Sequence, residues 1–216
     1  MRSEPVTCKR NAAILIAMKR LILFSFPTEP VKHQIVPLLF PDEIPQKVFA
    51  YMPAEGIVRA ERYATFTTEW QTLAQQHQAE FVLIDNASAN AGEERAKLQR
   101  ANILFITGGN SCVLLRNLRR SGLDQVIVDL TQQEHWVLAG FSAGAMIFTP
   151  SVELEAFDSR GNDAAGLTDF RALHFVDFEI APHYTEAFKA ILEAYQSTRP
   201  YEVRPVTDAE YIVIDK

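Results

Sequence analysis

The chain has 216 residues, 48% of them hydrophobic, enough to bury one sizeable core and too short for several large domains. Its 27 acidic and 21 basic residues leave a net charge of −6 with no basic run and no acidic tail, which argues against nucleic acid or anionic membrane as a main partner. The two cysteines, Cys8 and Cys112, are far apart and lack metal-ligand neighbours, so the composition suits a reducing compartment with neither a disulfide framework nor a zinc site.

Residues 1–17 read as an N-terminal extension. Their apolar stretch is interrupted by Lys19 and Arg20, shows no cleavage-site pattern, and is far too short to span a membrane. A single domain is expected from Met18 to Lys216. Arg20–Phe26 predicts a buried first strand. Five prolines between Pro27 and Pro45 disfavour a long regular helix, leaving short helical turns around Val31–Leu39. Lys47–Pro53 reads as a second strand. Arg59–Gln78 reads as one helix, with Tyr63, Phe66, Trp70, Leu73 and Ala74 at helical spacing.

Glu80–Asp85 is a third strand, Glu93–Gln99 a short helix, and Asn102–Thr107 a fourth strand that ends in Gly108-Gly109-Asn110-Ser111. Cys112–Arg120 and Val126–Gln133 suit helices. Trp136–Ala139 is an apolar strand running into Gly140-Phe141-Ser142-Ala143-Gly144, and a helix behind it stops at Pro150. Residues 151–172 read as a loop, His174–Ile180 as a strand, Thr185–Tyr195 as a helix, and Val203 and Tyr211–Ile214 as final strands. Apolar strands alternating with helices imply an α/β fold with a mainly parallel sheet covered on both faces. Ligands in such folds bind beyond the carboxyl ends of the strands.

Gly140-Phe141-Ser142-Ala143-Gly144 fits a G-x-S-x-G turn between a buried strand and a helix, which raises a serine hydroxyl into a cleft. A serine needs a base to become a nucleophile. His33 lies in the proline-rich segment and His77 on a polar helical face. His135 and His174 stand at the wrong ends of their strands. His183, just after the strand His174–Ile180, has the right position for a base. The backbone N–H groups of Ala143 and Gly109 suit an oxyanion hole. The spacing of Gly108-Gly109 does not match a dinucleotide fingerprint.

Five blocks in order resemble peptidase E, the aspartyl dipeptidase family of serine peptidases, related more distantly to class I glutamine amidotransferase-like folds. They are Ile106–Ser111, Leu114-Leu115, Ser121-Gly122-Leu123, Gly140–Ala145 and Ala181–Thr185. The resemblance implies a three-layer α/β/α sandwich with a flavodoxin-like sheet. It also implies Ser142 as nucleophile, His183 as base, and Gly109 and Ala143 as oxyanion donors. The third triad member implied is Asp158, with Asp208 as the alternative and Glu153 and Glu155 in the same loop as Asp158. Gly108, Asn110 and Lys189 are the candidates for the substrate pocket.

Two departures stand out. The basic, glycine-containing loop that follows the histidine motif in the family is missing, and Lys189 is the only cation nearby, so a strict preference for N-terminal Asp is not expected unless Lys189, or Arg59 or Arg160 from another segment, reaches the pocket. The chain also ends soon after a strand where the family usually continues, and that edge could pair with another subunit. The expectation is a cytoplasmic hydrolase of small peptides, monomeric or homodimeric, with no cofactor, metal, nucleic acid or membrane partner. The alternative is a non-catalytic small-molecule-binding or regulatory protein on the same fold. An amidotransferase-like glutaminase fits less well, because serine replaces the expected cysteine and Cys112 lies on a different turn.

Overall fold

A computed structural model describes residues 19–157 and 165–216. The expected extension 1–17 lies outside the described residues. Strands β1 (Lys19–Phe24), β2 (Lys47–Met52), β3 (Ala79–Leu83), β4 (Ile103–Ile106), β5 (Trp136–Phe141) and β8 (Tyr211–Asp215) form a six-stranded sheet in the order β3-β2-β4-β5-β1-β8. Every pairing is parallel except β8 on β1.

Alternate residues of the strands feed two cores. Ile22, Phe24, Phe49, Tyr51, Phe105 and Phe141 pack with helices α1 (Glu29–Leu39) and α3 (Ala64–Gln76) on one face. Leu21, Leu23, Met52, Leu104, Ile106 and Leu138 pack on the other, against α4 (Ala91–Gln99), α5 (Ser111–Ser121) and α6 (Leu123–Leu130). Helices on both faces of a mostly parallel sheet make the three-layer sandwich. The central strands β4 and β5 are buried along their whole length, the reason they read as continuous apolar runs.

Several elements differ from the sequence expectation. The proline-rich segment forms the regular eleven-residue helix α1. Thr28 caps it by accepting the Val31 N–H, Pro30 occupies the first turn where no N–H is needed, and Pro37, on the exposed face of the last turn, removes only one internal hydrogen bond. The single helix expected over Arg59–Gln78 is two, α2 (Ile57–Arg62) and α3, broken at Tyr63 with φ −116° and ψ 43°. The loop expected over 151–172 contains α8 (Glu153–Phe157), capped by the Ser151 hydroxyl, which accepts the Glu153 N–H.

The strand expected from His174 begins only at Phe178. The N–H groups of Leu173, His174 and Phe175 are instead donated to the carbonyls of Ile147, Thr149 and Phe148. The resulting strand β6 (Phe178–Pro182) is not part of the main sheet. It pairs in parallel with β7 (Glu202–Val206) as a separate two-stranded sheet, packed with α9 (Lys189–Gln196) against the α4–α6 side of the core. Among the described residues, no helix is long and apolar enough to cross a membrane.

Candidate active site

β5 delivers Ser142 at the carboxyl edge of the sheet, directly before the short helix α7 (Ala143–Met146). Ser142 has φ 50° and ψ −118°, a conformation that a serine adopts only when its surroundings enforce it. The enforcement is visible on both sides. The Ser142 N–H donates to the Phe24 carbonyl at the end of β1, and the Ser142 carbonyl accepts from Ala145 and Met146. The flanking glycines are needed for close approach. A Cβ on Gly140 would lie 2.1 Å from the Gly144 carbonyl oxygen, and one on Gly144 would lie 2.1 Å from that of Ile106.

β4 ends beside this elbow. The Gly108 backbone comes so near that an added Cβ would meet the Ser142 Cβ at 3.2 Å and the Phe141 ring at 2.6 Å. Ala143 opens α7, where backbone N–H groups lack intrahelical acceptors, and Gly108 lies beside the elbow. Asn110 has a structural duty as the N-cap of α5, its side chain accepting the Val113 N–H at 2.8 Å. Its own N–H donates to Glu55 Oε1 at 2.9 Å.

The second half of the site comes from the small sheet. His183 follows β6, and Asp208 lies two residues beyond β7; the parallel register Pro182↔Val206 brings both to the same end. His183 Nε2 is 2.9 Å from Ser142 Oγ, and His183 Nδ1 is 2.8 Å from Asp208 Oδ1. Ser25, one residue beyond β1 and fully buried, accepts the His183 N–H at 2.7 Å and donates its hydroxyl to Asp208 Oδ1 at 2.5 Å. No local pattern marks Ser25 in the sequence, and its part here is visible only in three dimensions.

Ser142, His183, Gly108, Gly109 and Asn110 line one cavity of about 740 Å³, with Phe26, Tyr51, Phe66 and Phe141 among its apolar walls. That size suits a small organic ligand or short peptide. Burial pushes the Tyr51 phenol up to about 12, so it stays neutral at ordinary pH. Lys189 does not line the cavity. It is exposed at the start of α9, and the neighbouring Phe188 turns inward in its place. Among the described residues, the cation in the wall is Arg59, which donates to Glu55 Oε1 at 2.7 Å and lies over the Tyr63 ring. The helix break at Tyr63 shapes this wall.

Of the acidic residues in the loop after the elbow, Glu155 accepts from the Ser111 hydroxyl at 2.9 Å and Glu153 pairs with Arg199. Asp158 lies outside the described residues. Among the described residues, the carboxylate that meets His183 is that of Asp208.

A sequence model of peptidase family S51 matches residues 27–216. An uncharacterized peptidase of Pasteurella multocida is 33% identical over 137 residues, 61% of this chain and 65% of the relative's length. The match thus spans less than two thirds of that curated relative. Peptidase E of Escherichia coli is 30% identical over 96 residues, 43% of this chain and 38% of its own. A crystal structure of a candidate peptidase E from Listeria monocytogenes superposes with a TM-score of 0.71 at 28% identity, covering 92% of this chain and 95% of that one.

Proposed function

The chain belongs to peptidase family S51, and from that premise we propose that it is a serine peptidase cleaving small peptides, with Ser142 as nucleophile and His183 as general base. The observation that carries this reading is the 2.9 Å approach of His183 Nε2 to Ser142 Oγ at a strained turn. That contact is within the reach a base needs to take a proton.

In the first half-reaction Ser142 Oγ bonds to the scissile carbonyl carbon while its proton passes to His183 Nε2. The oxyanion that forms is held by the N–H groups of Ala143 and Gly109. Asp208 stabilises the imidazolium through Nδ1–H, in the role of third triad member. His183 then gives the proton to the leaving amine nitrogen, the C–N bond breaks, and an acyl-enzyme remains. Water, deprotonated by His183, attacks that ester, and the proton returns to Ser142 Oγ as the carboxylic acid departs.

The cavity supports a short substrate by its size and apolar walls. Arg59 is the wall cation that could meet a carboxylate, but Glu55 already occupies part of its guanidinium. Broad rather than strict selectivity for the first residue follows from this pairing and from the missing basic loop.

The test is labelling with a fluorophosphonate, read by mass spectrometry, beside dipeptide hydrolysis by the wild type, Ser142→Ala and His183→Ala. One adduct on Ser142 and comparable loss of turnover in both variants are expected, because the pair acts as a unit. Hydrolysis that survives in Ser142→Ala would sink the assignment. A wild type that is neither labelled nor active would favour a non-catalytic binding protein on this fold.

A further inference from the structure

We propose that Ser25 is a positioning residue that sets the tautomer and orientation of His183. The inference rests on the reading of Ser142 and His183 as the reacting pair. It concerns a residue just outside the stretch matched by the family model, which begins at residue 27.

A hydroxyl has one proton to give. Ser25 gives its proton to Asp208 Oδ1 at 2.5 Å, so toward His183 Nδ1, 3.3 Å away, it presents only a lone pair. Nδ1 therefore faces two acceptors, Ser25 Oγ and Asp208 Oδ1, and must itself carry the ring proton. Nε2 is left with its lone pair directed at Ser142 Oγ, the state a general base requires. The same Ser25 oxygen also accepts the His183 N–H at 2.7 Å. That bond holds a histidine whose φ is 57°, a left-handed conformation that residues other than glycine rarely adopt.

Topology explains why this serine can do both. In the parallel pairing of β1 with β5, Phe24 is opposite Phe141, so Ser25 and Ser142 are the next residues on adjacent strand ends. In the antiparallel pairing of β1 with β8, Phe24 is opposite Tyr211, and the turn that carries Asp208 folds back over Ser25. Ser25 thus ties the small sheet that bears His183 to the large sheet that bears Ser142. Its complete burial keeps water from competing for these bonds.

The experiment uses the full chain and the variants Ser25→Ala and Ser25→Cys. The cysteine variant keeps most of the volume with a much weaker donor, and it serves if the alanine variant does not fold. Turnover of a dipeptide gives kcat and KM. The downfield imidazole Nδ1–H proton resonance, assigned by its loss in His183→Ala, reports the tautomer without any turnover. A fall in kcat of about 10- to 100-fold is expected, the scale of a hydrogen bond to a charged group, with KM nearly unchanged and the resonance broadened or lost. A folded variant with wild-type kcat and an unchanged resonance overturns the proposal. An inert wild type whose Ser142 resists the fluorophosphonate would refute the peptidase reading instead, and the resonance alone would then decide the place of Ser25.

Discussion

His183 Nδ1 meets Asp208 Oδ1 at 2.8 Å although 25 residues separate them, because β6 and β7 run in parallel and end together. Both side chains are about half exposed, at 42% and 53%, so the contact is an orienting hydrogen bond in partly solvated surroundings more than a buried ion pair.

The first prediction follows from that contact. Asp208→Asn should lower kcat by about 10²- to 10⁴-fold, the upper end being the cost when a triad histidine is held in the wrong tautomer. Asp158→Asn should change it far less. Steady-state kinetics of both variants on one dipeptide decide between the two carboxylates, and a larger loss in Asp158→Asn reverses the assignment.

The glycines of the elbow make a stability prediction. An alanine at Gly140 or Gly144 would place Cβ 2.1 Å from a backbone carbonyl oxygen, which cannot move without shifting the strand or the helix. Each substitution should cost about 3 kcal/mol or more, at or beyond the upper end of overpacking effects. Gly108→Ala, which would press mainly on the Phe141 ring, should cost less. Urea unfolding of the three variants provides the ranking, and equal midpoints would contradict it.

A third prediction concerns the anchor of the small sheet. Glu179 on β6 is 1% exposed and is held by the Tyr195 hydroxyl at 2.6 Å and by Arg199 at 2.9 Å. Arg199→Ala should destabilise the fold by about 3–5 kcal/mol, since it leaves a buried carboxylate without its counter-charge. The double variant Arg199→Ala, Glu179→Gln should recover much of that loss. Failure of the second change to restore stability, measured by denaturant unfolding, would show that packing of the arginine stem outweighs the charge.

Specificity gives the fourth. In a panel of dipeptides differing only in the first residue, kcat/KM for Asp should exceed that for Ala or Leu by less than about a hundredfold, some 2.7 kcal/mol in transition-state binding. Whatever preference remains should vanish in Arg59→Ala, because Arg59 is the cation that lines the cavity among the described residues. A sharper preference that persists in that variant means another segment supplies the carboxylate clamp.

The elbow was legible in the sequence because its chemistry is local. An apolar strand, two glycines around a serine and a helix start are consecutive, and steric need alone dictates the small residues. The Gly108-Gly109 turn and the candidate base at His183 were legible for a related reason, since strands of a parallel sheet end on one side and the residues just past them gather there. The main sheet followed from unbroken apolar runs such as Ile103–Ile106. The sequence did not foretell that the strand before His183 leaves that sheet to pair with β7, and it left open whether Lys189 or a cation from another segment such as Arg59 borders the cavity. The helix break at Tyr63 carries no proline or glycine to announce it. That Asp208, one of the two candidate carboxylates, meets His183, and that Ser25 touches both, were decided by tertiary structure. They depend on two registers, β6 on β7 and β8 on β1, and a register is fixed by which side chains pack into a shared core, not by anything a residue shares with its neighbours in the chain.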